Sequence, residues 1–99
     1  TLRELIMTLH IIKSAKADTI TQVEELITDG DQILLVEDGC YLYTIAKQKL
    51  AIPSRTILAL SDHMQARGLA DKASANGIEL ITFKQWVLLT HRHPQSASW

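Results

Sequence analysis

The sequence predicts an α/β fold: one three-layer α/β/α domain over residues 1–99, built around a mainly parallel sheet of four or five strands. Two observations carry this. Short apolar runs alternate four times with helix-forming stretches, an order that requires parallel strands joined by right-handed crossovers, with helices on both sheet faces. The 99 residues are also 46% hydrophobic, enough for one core but short of what two domains need.

Residues 5–12, LIMTLHII, form a near-continuous apolar run typical of a strand buried on both faces. After a polar break at 13–16, a helix fits residues 18–28, with Ile20, Val23 and Ile27 on one face. Thr21 and Glu24 match a capping box, which would start that helix one turn later. Asp29 and Gly30 are expected to end it through a left-handed glycine. Residues 33–36 are a second buried strand, closed by Glu37, Asp38 and Gly39. A second helix spans 41–50, with Leu42, Ile45, Ala46 and Lys49 as its stripe and edge, and Pro53 stops it. Residues 56–60 are a third strand, followed by a short helix from Ser61 to a stop at Gly68. Asn76 and Gly77 turn the chain into a fourth strand, 78–81. Thr82 and Gln85 form a second capping box, opening a helix whose Phe83, Trp86, Val87 and Thr90 share a face. The tail, 92–99, is polar apart from Ala97 and Trp99, with Pro94 as a breaker.

Charge and composition narrow the function classes. Ten Lys and Arg against eleven Asp and Glu give a formal charge of −1, without the cation surplus that direct nucleic-acid binding needs. The chain is too apolar to be disordered, and no apolar run approaches the ~18 residues that span a bilayer. Arg3 and Glu4 interrupt the amino-terminal apolar stretch, arguing against a secretory segment and for a cytoplasmic protein. The single cysteine, Cys40, excludes an internal disulfide and a multi-cysteine zinc site. Leu, Ile and Val number 28 against five aromatic residues. That aliphatic surplus either scatters over the surface, as exposed leucines normally do, or is covered by another chain.

In open parallel sheets, chemistry gathers at the carboxyl ends of the strands. The residues expected there are Lys13 and Ser14; Asp38, Gly39 and Cys40; Ser61 to His63; and Thr82. Cys40 is the candidate catalytic residue: a helix amino end favours a thiolate, which would make it a persulfide or acyl carrier. The alternative is a small structural residue after a glycine turn. His10, inside a strand, reads as a hydrogen-bonded structural imidazole. His91 and His93, with Cys40 or His63, match no established metal-ligand spacing, so no metal is expected. Neither a dinucleotide fingerprint nor a P-loop appears, so no cofactor is expected. Ser14 and Ser61 lack a nucleophile elbow or an evident base. Arg67 before Gly68 reads as a charge complementing a helix carboxyl end, with anion binding as its functional alternative.

Several short motifs, in order, resemble the TusB/DsrH family of small sulfur-relay subunits. They are Thr8, Leu9 and His10 with Lys13 and Ser14; Leu34 to Gly39; Ala66 to Leu69; Val87, Leu89 and Thr90; His93 and Pro94; and Trp99. The likeness covers residues 7–99; residues 1–6 precede the usual start, making Met7 the expected native first residue. The resemblance implies a mainly parallel α/β subunit that assembles with TusC/DsrF-like and TusD/DsrE-like partners into a dimer of heterotrimers. It further implies that the TusD-like subunit carries the persulfide. Sulfur then passes to a TusE/DsrC-like acceptor and on to 2-thiouridine at the tRNA wobble position, or, in the Dsr branch, into sulfur oxidation. Val23 stands near the place of a first-helix cysteine found in DsrH proteins of sulfur oxidisers, which favours the Tus branch and a non-catalytic subunit. Cys40 replaces a commonly aliphatic residue, keeping a sulfur-carrying role open, and His63 stands where relatives tend to show an acid. A homo-oligomeric small-molecule binder is the third reading.

Overall fold

The computed structural model describes residues 7–99. Among them, five strands form one fully parallel sheet in the order β4-β3-β2-β1-β5. The elements in chain order are β1 (Thr8–Ile12), α1 (Ala17–Leu26), β2 (Gln32–Leu35), a 3-10 turn (Glu37–Leu42), α2 (Tyr43–Leu50), β3 (Ile57–Leu60), α3 (Ser61–Ala66), α4 (Ala70–Ala75), β4 (Glu79–Ile81), α5 (Phe83–Arg92) and β5 (Gln95–Ser98).

The strand order fixes the layers. From β1 to β4 each crossover steps the same way, so right-handedness sets α1, α2 and the α3–α4 pair on one face. The last crossover runs back past three strands to the far side of β1, which puts α5 on the opposite face. Side-chain alternation agrees with this. Ile12, Ile33, Leu35, Ile57 and Ala59 pack with Ile20, Val23, Ala46, Leu50, Met64 and Ala73. Leu9, Leu34, Leu58, Leu60 and Ile81 meet Trp86 and Leu89 of α5. One face is thus covered by four helices and the other by a single ten-residue helix that has no buried residue.

Several expectations need correction. Residues 5 and 6 of the expected first strand lie outside the described residues. The Thr21–Glu24 capping box is not used: α1 starts a turn earlier, behind Lys16, with no side-chain cap. Nor does Gly30 end the helix, because positive-φ glycines are found only at Gly68 and Gly77 among the described residues. Asp31 does that work instead. Its carboxylate accepts the Thr28 N–H (3.1 Å) and hydroxyl (3.0 Å), diverting the backbone before a glycine cap is needed. The expected helix over 41–50 divides into the 3-10 turn and α2. The helix α4 and the strand β5 were not expected. β5 reads Gln, Ser, Ala, Ser directly after Pro94, and it is an edge strand whose pairing with β1 is made by backbone groups. By contrast, the Thr82–Gln85 capping box closes in both directions, at 3.2 and 2.8 Å. No helix of the described residues is long and apolar enough to cross a membrane.

Candidate functional site

The crossover from β3 leads to one face of the sheet and the crossover from β4 to the other, which opens a crevice at their carboxyl ends. The loop after β2 enters it through a strained turn. Glu37 has φ 50°, a left-handed conformation that costs a non-glycine residue about 1–2 kcal/mol. Its N–H donates to His63 Nδ1 at 2.8 Å, tying the β2 loop to α3. Two residues on, Gly39 lies against the end of β1. A Cβ there would stand 1.9 Å from the Ile12 carbonyl oxygen, the same oxygen that accepts the Val36 N–H at 3.0 Å. Glycine is therefore required by close approach.

Around this turn exposed and half-buried side chains form one connected surface. Arg67 donates to Asp38 Oδ1 at 3.0 and 3.2 Å and to the His63 carbonyl at 3.2 Å. Its guanidinium lies 6.0 Å from the centroid of the Tyr41 ring. The His63 ring meets Phe83 edge-on at 5.8 Å, and Phe83 stacks on Trp86 at 5.9 Å. Tyr41 and Phe83 are 53% and 50% exposed. Farther along α5, Val87 and Leu88 are 58% and 59% exposed. Leu88 also rims a shallow groove of about 290 Å³, lined by Leu58, Leu80, Leu89 and Arg92 among others. Exposed aromatic residues around an arginine are the composition of protein-interface hot spots.

Cys40 lies beneath this surface, inside the 3-10 turn rather than at an α-helix amino end. It is fully buried, and its thiol donates to the Leu35 carbonyl at 3.8 Å. Burial pushes its pKa up to about 11; the Arg67 charge opposes that rise and the Asp38 charge adds to it. At neutral pH the group is a thiol.

The other sequence candidates are dispersed. The Lys13 and Ser14 N–H groups donate to the Trp99 carbonyl. Ser61 Oγ accepts from Gln65, and Thr82 caps α5. His91 is exposed at the end of α5. His93 is buried with Nδ1 unpartnered, and burial lowers its pKa, Asp31 acting against this and Arg92 with it. Among the described residues no three His, Cys, Asp or Glu side chains converge as a metal site.

His10 belongs to a buried polar network at the opposite end of the sheet. Its Nε2 bonds Asp31 Oδ2 at 2.9 Å, while Nδ1 accepts the Trp99 indole N–H at 3.2 Å. The indole can only donate, so the ring proton sits on Nε2. Buried Arg55 closes the same loop by donating to the carbonyls of Asp31, Leu50 and Thr28. Sequence reasoning found His63, Arg67 and Asp38 but missed Tyr41 and the Asp31 network. A tyrosine after a strand-closing glycine was the available signal for the first; nothing local signals the second.

Comparison with known proteins adds a family. The profile described as DsrH like protein matches residues 13–96. Proteins named TusB are similar over most of the chain. That of Enterobacter sp. (strain 638) is 31% identical over 77 residues, covering 75% of this chain and 80% of its own length. That of Photorhabdus laumondii is 31% identical over 85 residues, covering 78% and 83%. That of Escherichia coli (strain K12) is 32% identical over 82 residues, covering 75% and 80%.

Proposed function

Since the chain belongs to the DsrH-like family, we propose that it is a non-catalytic, cytoplasmic subunit of a TusBCD-like sulfur-relay complex. In this reading it assembles with TusC/DsrF-like and TusD/DsrE-like subunits in a dimer of heterotrimers. The complex passes persulfide sulfur to a TusE/DsrC-like acceptor and toward 2-thiolation of the tRNA wobble uridine. The observation that carries the reading is the fully buried Cys40 thiol lying under a surface on which Tyr41 and Phe83 are exposed. A persulfide carrier must offer a thiolate to its donor and acceptor, whereas a scaffold must offer surface. Tyr41 and Phe83 offer surface.

A second reading makes Cys40 a sulfur carrier. Its place at the carboxyl end of β2, with the Arg67 charge favouring a thiolate, supports that alternative. One experiment separates the two. In a strain lacking the gene, tRNA 2-thiouridine is measured by mass spectrometry after complementation with the wild type or Cys40→Ser. Full restoration by both is the expected result. Loss of thiolation with Cys40→Ser, assembly being intact, would transfer the role to Cys40; restoration by neither would remove the chain from this pathway.

A further inference from the structure

We propose that β5 is a pH-sensitive latch, closed by the Trp99 indole on neutral His10 and opened when His10 takes up a second proton on Nδ1. The proposal goes beyond the relay reading and does not rest on it, since every part of the latch lies within this chain. His10 is bonded at both ring nitrogens, and one protonation state alone satisfies both bonds. Nε2 donates to Asp31 Oδ2 at 2.9 Å, and Nδ1 accepts the indole N–H at 3.2 Å. Asp31 keeps the Nε2 proton in place, so an added proton goes to Nδ1. Two donors then face each other at hydrogen-bond distance, and the indole has no acceptor atom to offer instead. The bond to the Asp31 carboxylate strengthens when the ring is charged. The imidazolium therefore stays, and the indole is the partner that leaves.

β5 is built to follow it. Gln95, Ser96 and Ser98 are exposed and only Ala97 is half-buried, so side-chain burial does little to hold this edge strand. Trp99 is its apolar anchor, packed half-buried against the larger core cluster. The Trp99 backbone extends the pairing with β1: its N–H donates to the Ile11 carbonyl at 2.9 Å, and its carbonyl accepts from the Lys13 and Ser14 N–H groups. Without the indole, these backbone bonds remain on an exposed edge, where local opening costs least. The charged groups around the latch are few. Asp31 faces His10 directly and acts on His93 through space; Arg55 and Asp29 lie behind Asp31, and Arg92 lies beside His93. The buried residues of α1, and all of β2 and β5, present no titratable side chain. Arg55 spends its donors on the carbonyls of Asp31, Leu50 and Thr28, leaving the Asp31 carboxylate to carry the imidazolium. Burial pushes that carboxyl up, yet its hydrogen bonds hold it below its ordinary value, so it is ionised throughout the range in which imidazoles titrate. His93, buried with Nδ1 unpartnered at the start of β5, is the competing imidazole and is tested separately.

The test follows hydrogen exchange at the backbone amides of residues 95–99 and at the Trp99 indole N–H, from about pH 8 to about pH 5. Rates are divided by the intrinsic exchange rate at each pH. In the wild type, protection should fall about tenfold per pH unit once the ring titrates, because opening takes up one proton. The amides of β2 and β3 should stay protected over the same range. His10→Gln offers the indole a carbonyl acceptor and Asp31 an amide donor without a titrating proton, and should hold protection constant. Trp99→Phe keeps an aromatic anchor but removes the opposing donor; it should start less protected and lose the pH dependence. His93→Gln should retain the wild-type fall. Wild-type protection that is unchanged from pH 8 to pH 5 would overturn the latch. So would a fall that persists in both His10→Gln and Trp99→Phe, one that His93→Gln abolishes, or one shared equally by β2 and β3.

Discussion

Replacing Asp31 by Asn keeps the shape of a buried side chain and reverses the hydrogen-bonding sense of one of its two terminal atoms. The Asp31 carboxylate accepts four hydrogen bonds. Oδ1 takes the Thr8 N–H at 2.9 Å and the Thr28 hydroxyl at 3.0 Å; Oδ2 takes His10 Nε2 at 2.9 Å and the Thr28 N–H at 3.1 Å. With the amide nitrogen at the Oδ2 position, two donors oppose it. His10 can shift its proton to Nδ1 to help, but that proton then meets the Trp99 indole N–H. With the nitrogen at the Oδ1 position, the Thr28 hydroxyl can turn to accept and the Thr8 N–H is stranded. Either orientation loses at least one charge-assisted bond and leaves a buried donor unpaired, for a combined cost of about 3 kcal/mol. For a domain of this size that corresponds to a fall in Tm of about 12–24 °C. The assay is urea and thermal unfolding of Asp31→Asn at neutral pH, alone and combined with Trp99→Phe. Without the indole, His10 is free to change tautomer, so Asp31→Asn should cost about 1 kcal/mol less in the Trp99→Phe background. A stability within about 0.5 kcal/mol of wild type would refute the network as described.

Titration of buried groups gives two further expectations. Burial pushes the Asp31 carboxyl up, but its bonds from Thr8, His10 and Thr28 outweigh this and hold it below its ordinary value. Its stabilising effect is thus complete above the ordinary carboxylate range and is lost as pH falls through the folded value, a loss that acid titration should find missing in Asp31→Asn. Cys40 runs the opposite way. A pKa raised from 9.0 to about 11 stabilises the fold below 9 and ceases to do so as pH rises toward 11. At neutral pH its thiolate fraction is about a hundredfold below that of an ordinary cysteine, and maleimide labelling should be slower in the folded than in the urea-unfolded chain by at least that factor. Gly39→Ala would drive a methyl into the Ile12 carbonyl, a clash expected to cost about 3 kcal/mol in urea melts. Thr82→Ala removes the α5 cap and should cost about 1 kcal/mol on the same assay.

What the sequence made legible is local. Apolar runs at 33–36 and 56–60, the glycine stop at Gly68, the Asn76–Gly77 turn and the Thr82–Gln85 box each act through neighbouring residues, and each is realised in the structure. Less legible were features produced by distant parts of the chain. β5 carries no strand pattern because β1 supplies its partners, and α4 is a short run of Ala, Asp, Lys and Ser with only Ala73 buried. The end of α1 depends on Asp31, a residue whose other bonds reach back to Thr8 and His10. Cys40 illustrates the same limit. Position after a strand suggested thiolate character, yet its burial is set by Leu35, Leu42 and the helices packed around them. In the crevice, His63, Arg67 and Asp38 could be read from strand ends and a helix stop, but their junction with Tyr41 and Phe83 needed the topology.

Purification of the chain after co-expression with the TusC- and TusD-type subunits of the proposed complex, followed by mass determination of the intact assembly, is the most direct measurement. A single species holding two copies of each of the three chains is expected. Persistence as a lone polypeptide, in a preparation where the other two subunits have joined, would contradict it.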